Sequence, residues 1–192
     1  YTLYTEALTL IGDAPDPTSP NLEAARVKLR TIVADYADTQ AGEAATDLLS
    51  DLDVLGKHIG QITGTTWLQG EGVISAKPVT LLAFWEAWCP HCQREVPKLT
   101  AWIDQFGGQG FQVISLTRMS RDTSEAQVMD FAQSNNITFP IGHEDGTMSS
   151  LFGVSGIPAA AAVRDGVVIW RGHPGELSAA VIESWLNKPA AP

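Results

Sequence analysis

Cysteine is almost missing from this chain: of 192 residues only Cys89 and Cys92 are cysteines, and they fall in one Cys-x-x-Cys. With no second pair, a framework of structural disulfides is excluded. A zinc site would need further protein ligands, and His58, His143 and His173 form no ligand pair, so no metal is expected. Basic residues are few as well, 12 Lys and Arg against 22 acids, for a net charge of −10. Phosphate backbones are bound by clustered cations, so nucleic acid is not an expected partner. Long apolar runs are also absent; none approaches the roughly 18 residues of a membrane helix. No initiating Met or signal peptide precedes Tyr1, which we read as the start of a trimmed mature chain that leaves export open. The remaining apolar fraction, 44%, is ordinary for a packed protein of one domain plus a small appendage.

What is present centres on Val79 to Leu99. Val79–Trp85 is an apolar run of strand length. Past Cys89-Pro90-His91-Cys92 the spacing turns helical, with Val96, Leu99, Ile103 and Phe106 three or four apart. A strand that feeds a helix through Cys-x-x-Cys sets the first sulfur at a helix start. There the unpaired N–H groups and the helix dipole favour a thiolate. Cys89 is therefore read as a solvent-facing nucleophile, and Cys92, one turn inside the helix, as the resolving thiol. Glu86 is a charge late in an apolar strand, and we read it as marking the strand's exit.

The flanking chain reads as follows. Tyr4, Leu8 and Ile11 form one short helical stripe, ended by three prolines within Asp13–Pro20. Leu22, Ala25, Leu29, Ile32, Val33 and Tyr36 form a second, and Ala44, Ala45, Leu48, Leu49, Leu52 and Leu55 a third that closes at Gly56. Trp67 to Ile74 has the look of a glycine-turned hairpin, and Phe111–Leu116 of a strand. Asp122 and Glu125 have capping-box spacing ahead of a helix through Val128, Phe131 and Ala132. Ile137–Ile141 is a short strand candidate, and Met148, Leu151 and Phe152 mark a turn of helix. Ala159–Val163 and Val167–Trp170 form a hairpin, and Leu177, Val181, Ile182 and Trp185 a closing helix. This order predicts an α/β fold, a mixed sheet covered by helices on both faces.

On these residues the sequence resembles the thioredoxin superfamily, and within it the TlpA/ResA-like branch. The resemblance rests on Phe84-Trp-Glu-Ala-Trp-Cys-Pro-His-Cys92, Glu95-Val-Pro97 and Val154-Ser-Gly-Ile-Pro158, with Arg118–Asp145 fitting the branch's insertion. It spans about Gly60 to Asn187. The expected domains are a helical extension at 1–59, a thioredoxin-like domain at 60–188 and a frayed tail at 189–192. The pattern from Ala25 to Leu49, with a Tyr before the inter-helix turn, weakly resembles a tetratricopeptide pair. Its stripes must bury against the redox domain, a second copy or a partner protein.

The resemblance implies a thiol–disulfide oxidoreductase that exchanges the Cys89–Cys92 disulfide with protein thiols or disulfides and is recycled by a redox partner. No cofactor is implied, and the compartment implied is periplasmic or otherwise extracytoplasmic. Glu95 matches the branch's active-site glutamate and is the expected acid–base group, whereas Ala83 stands where many thioredoxins keep a buried acid. Ile157-Pro158 is the expected cis peptide, which with Trp88 would line the substrate groove. Pro90 and His91 resemble the central dipeptide of the oxidase DsbA. An imidazole N–H or imidazolium near the sulfur would stabilise the reduced form, so a potential above thioredoxin's is expected. The alternatives are a ResA-type reductase serving cytochrome c maturation, or a helical scaffold with incidental cysteines. A peroxiredoxin is disfavoured, since Glu86 replaces the Thr needed three residues before its cysteine.

Overall fold

The computed structural model of the protein describes residues 2–12, 17 and 19–187. Most of the expected proline break (residues 13–16 and 18) and the tail at 189–192 lie outside the described residues.

The run expected as a buried strand is β2, Val79–Trp85, and all seven of its residues are buried. It pairs in parallel with β3 (Phe111–Thr117) and antiparallel with β5 (Ala159–Arg164). With β1 (Thr65–Gln69), β4 (Ile141–Glu144) and β6 (Val167–Gly172), they form one six-stranded sheet in the order β1-β4-β3-β2-β5-β6. The β5–β6 turn places both Asp165 (φ 51°) and Gly166 (φ 77°) at positive φ, the geometry a tight two-residue hairpin needs.

Alternation along the strands splits the core in two. Leu81, Ala83, Trp85 and Val113 pack with α4 (Pro90–Glu95), α5 (Leu99–Phe106), α6 (Glu125–Ser134) and α8 (Ala179–Asn187). Leu82, Phe84, Ile114 and Leu116 point the other way. They meet side chains of α1 (Thr2–Ile11), α2 (Pro20–Tyr36), α3 (Gln40–Leu52) and α7 (Thr147–Leu151). The mixed sheet with helices on both faces is thus as expected, and the N-terminal helices supply one of the two layers. Leu22, Ala25, Leu29 and Ile32 of α2 are all buried there. At about 1.5–3 kcal/mol for each large side chain, that layer is a main source of stability.

Covalent continuity reinforces the contact. Gly56 N–H donates to Val168 O (2.9 Å), Val168 N–H to Lys57 O (3.0 Å) and Ile59 N–H to Gly166 O (2.7 Å). The chain between the helices and β1 therefore covers the open edge of β6. Arg171, its side chain only 5% exposed, reaches Asp51 on α3 at 3.5 Å and donates from Nε to Phe152 O. Burial raises the Asp51 carboxyl above its ordinary range and lowers the Arg171 guanidinium, each opposed by the charge of the other.

Several local expectations are corrected. In α1 the residue fully buried is Ala7, while Leu8 is 46% exposed; Tyr36 is 55% exposed. The third helix ends at Leu52, and Val54 and Leu55 are buried from the turn beyond it. Residues 67–74 form no hairpin: β1 is an edge strand on β4. Gly72 is needed for close approach, since a Cβ there would lie 2.5 Å from Trp67 and 2.6 Å from Ile114. The helix after the cysteines is split by a 3-10 turn at Val96–Lys98, where Pro97 has no N–H to continue the ladder. The capping box is Ser124 with Gln127, not Asp122 with Glu125. The fourth strand is Ile141–Glu144, displaced from 137–141, because Asn136 turns at φ 51° and Gln69 takes the carbonyls of Ile137 and Phe139.

Candidate active site

The cysteines stand where β2 hands over to α4. Cys89 is the N-cap residue, extended at φ −81° and ψ 115°, and Pro90 is the first helical residue, a position that wants no N–H. Cys89 N–H donates to Glu86 O (3.1 Å), and Gln93 N–H donates to Cys89 O (3.0 Å). Both thiols are free. Cys92 is fully buried, and burial pushes its thiol up to about 12, helped by Cys89 and the nearby charge of Glu86 and opposed by a hydrogen bond from the Glu86 backbone. Cys89 does not face solvent as expected: it is 5% exposed, with its Sγ 3.9 Å from Ile157 O. The Ile157–Pro158 peptide is cis, as the resemblance implied, and packs over the first sulfur.

Glu86 stands at the strand's exit, directly after β2, as expected, but sequence reasoning missed its role there. Its carboxylate is buried and Oε2 accepts from Trp88 Nε1 (2.6 Å), Ser120 N (3.1 Å) and Ser120 Oγ (2.5 Å). One carboxylate thereby ties the residue before Cys89 to the loop after β3. The available signal was its position: a lone acid directly after the strand Val79–Trp85, whose last five residues are all apolar, and three before a cysteine. Ala83, at the position where many thioredoxins keep a buried acid, sits in the apolar core.

The other expected site residues divide. Trp88 adjoins the first cysteine, half-buried, with its indole under the guanidinium of Arg121 (3.7 Å from Cζ to the ring centre). His91 is exposed, and its Nδ1 lies 2.8 Å from Arg94 Nη2; arginine has only donors, so Nδ1 accepts. That nitrogen is therefore turned to Arg94. Glu95 holds Lys98 through both oxygens (2.8 and 3.0 Å) and keeps its side chain only 15% exposed. A Cβ on Gly175 would come 3.2 Å from its Oε2, so the segment before α8 lies against it.

Fold and paired thiols together define a thioredoxin-like protein whose reactive group is a dithiol. The sequence model of the AhpC/TSA family matches residues 63–172, and the chain belongs to that family. It is 26% identical over 162 residues to the thiol-disulfide oxidoreductase ResA of Halalkalibacterium halodurans, covering 82% of this chain and 83% of that protein. It is 24% identical over 110 residues to the sporulation thiol-disulfide oxidoreductase A of Bacillus subtilis, covering 57% and 67%. The crystal structure of StoA from Bacillus subtilis superposes with a TM-score of 0.55 at 22% identity, over 67% of this chain and 98% of that one. With these relatives, the chain is a thiol–disulfide oxidoreductase of the ResA-like kind. Among the described residues no helix is long and apolar enough to cross a membrane.

Proposed function

We propose that the exchange runs through Cys89 as attacking sulfur and Cys92 as resolving sulfur. The observation that carries this is the contrast between them. Cys92 is sealed and held protonated near neutral pH, whereas Cys89 caps the helix beside the Ile157 carbonyl. In the reducing direction Cys89 sulfur attacks a partner disulfide, forming a Cys89–partner bond while the partner's other sulfur leaves as thiolate. Cys92 then gives up its proton and attacks Cys89, releasing the second partner thiolate and leaving a Cys89–Cys92 disulfide. A redox partner returns the dithiol; the oxidising direction is the same sequence reversed. Ile157, Pro158 and Trp88 form the groove in which the partner chain lies.

Glu95, one helical turn after Cys92, is assigned as the acceptor of the Cys92 proton. Glu95→Gln then slows release of the mixed disulfide and spares its formation; equal slowing of both steps overturns the assignment. For the cysteines, Cys92→Ser should accumulate a mixed disulfide with a partner and Cys89→Ser should not, read by non-reducing electrophoresis and mass spectrometry. Trapping by Cys89→Ser alone would exchange their roles.

For poise we propose a potential above the roughly −270 mV of thioredoxin. The support is the Arg94–His91 contact, which ties a permanent cation to the residue between the cysteines. The alternative reading is a reductase of the ResA type. We place the protein outside the cytosol, and a redox-sensitive reporter fused to the native gene product tests that. A homo-oligomer through residues 1–59 would have to use Leu3, Leu8, Val27 and Tyr36, since the buried stripe of these helices is taken up by the sheet.

A further inference from the structure

The arginines of this acidic chain fall into two groups. Arg26, Arg30, Arg164 and Arg171 each have a carboxylate within 4 Å, at 3.7, 3.3, 3.8 and 3.5 Å. Arg94, Arg118 and Arg121 have none among the described residues, and all three stand at the cysteine end of the sheet. Trp85 pairs with Thr117, so the loop that begins at Arg118 emerges beside the Glu86–Cys89 turn. Glu86 then fastens that loop through Ser120, one residue before Arg121.

Arg121 is exposed, yet it is held: its guanidinium lies over the ring of Trp88, the residue preceding Cys89, from a backbone at φ 53° followed by Asp122 at φ 59°. A guanidinium stacked through its face keeps its N–H edge free for a planar, bidentate acceptor. Stacking also removes rotamer freedom before any ligand arrives, which lowers the entropy lost on binding. Asp122 and Glu125 lie further along the same segment, and neither is within ion-pair distance of Arg121. Glu86, at the N–H edge of the indole, already accepts three hydrogen bonds.

We propose that Arg121, seated on Trp88, forms a cationic rim that selects partner polypeptides bearing a carboxylate next to the cysteine they exchange. This rests on the exchange reading given above and names its substrate class. A chain of net charge −10 repels acidic partners at a distance. A local cation at the reacting sulfur offsets that repulsion and directs an acidic segment to Cys89.

Three synthetic peptides test it, each carrying one cysteine as a 2-thiopyridyl disulfide flanked by Glu, Gln or Lys. The reduced full-length protein is mixed with each, thiopyridone release is followed, and every rate is divided by that peptide's rate with dithiothreitol. The wild type should prefer the Glu peptide over the Lys peptide about two- to fivefold at low salt, the size of an exposed ion pair. The preference should shrink in 1 M salt. Arg121→Gln should bring the ratio toward one, and Arg121→Glu should carry it below one. A wild-type ratio of one, or a ratio that neither variant moves, overturns the rim. If no peptide, Gln included, reacts faster than with the Cys89→Ser protein, the exchange reading fails and the rim with it.

Discussion

The two sides of the sheet do different work with the same kind of residue. On the side of the N-terminal helices, charge is neutralised: Arg26 and Arg30 meet Glu23 and Asp53, and Arg171 meets Asp51. On the side that carries the cysteines, a buried glutamate takes its hydrogen bonds from neutral donors, and Arg94, Arg118 and Arg121 have no carboxylate partner among the described residues. The first side is built to hold, and the second leaves polar groups available to a visitor. The contrast teaches that the helical layer belongs to the stability of the redox domain, while specificity is left to the turn and loop at the strand ends, where ligands of α/β sheets usually bind.

Removing the layer is the strongest way to break this comparison. A chain starting near Gly60 uncovers Leu82, Phe84, Ile114 and Leu116, and we expect loss of cooperative unfolding by circular dichroism. A truncated chain that melts like the whole would make the layer dispensable. A milder break is Leu29→Ala, at a residue with no exposure, which should cost about 2–5 kcal/mol in denaturant unfolding. Under native conditions its exchange rate should stay near wild type; a parallel fall in rate would couple the two sides.

The comparison is sharpened by pH. The Cys92 thiol, at about 12 in the folded protein, lies well above the roughly 8.5 of a free cysteine. The folded state therefore holds a proton that the unfolded chain releases. Stability of the reduced protein from this group is fully present below about pH 8.5 and declines as pH rises toward 12, with a slope near 1.4 kcal/mol per unit. Denaturant melts of the reduced protein from pH 8 to 10 should show that decline, and Cys92→Ala should flatten it. An unchanged slope in the variant would assign the decline to other groups.

The smallest expected effect is redox poise. His91→Ala releases Arg94 and should lower the potential by up to about 30 mV, equivalent to some 1.4 kcal/mol for two electrons. Equilibration with glutathione, followed by tryptophan fluorescence, measures it. A wild-type potential at or below thioredoxin's, unmoved by the substitution, would leave the ResA-type reductase.

The sequence by itself determined the central strand, the placement of Cys89 at a helix start, the terminal hairpin and the helical stripes. These follow from near neighbours: an apolar run of strand length, a proline at the first helical position, Asp-Gly at a tight turn, and 3.6-residue spacing. The cis Ile157-Pro158 peptide was legible only through resemblance, because a proline does not announce its isomer locally. Tertiary structure decided the rest. It assigned the N-terminal stripes to the sheet, since a stripe shows that a face must be covered and not by what. It drew Trp67 to an edge strand beside β4, a partner some 75 residues away. It also decided what the acids near the resolving thiol touch. Glu95 is one helical turn from Cys92 and was visible for that reason; its contact with Lys98 was not. Glu86 works through Ser120 and Trp88, and the contact with Ser120 exists only because β2 and β3 lie in parallel register and bring two distant turns to the same end of the sheet.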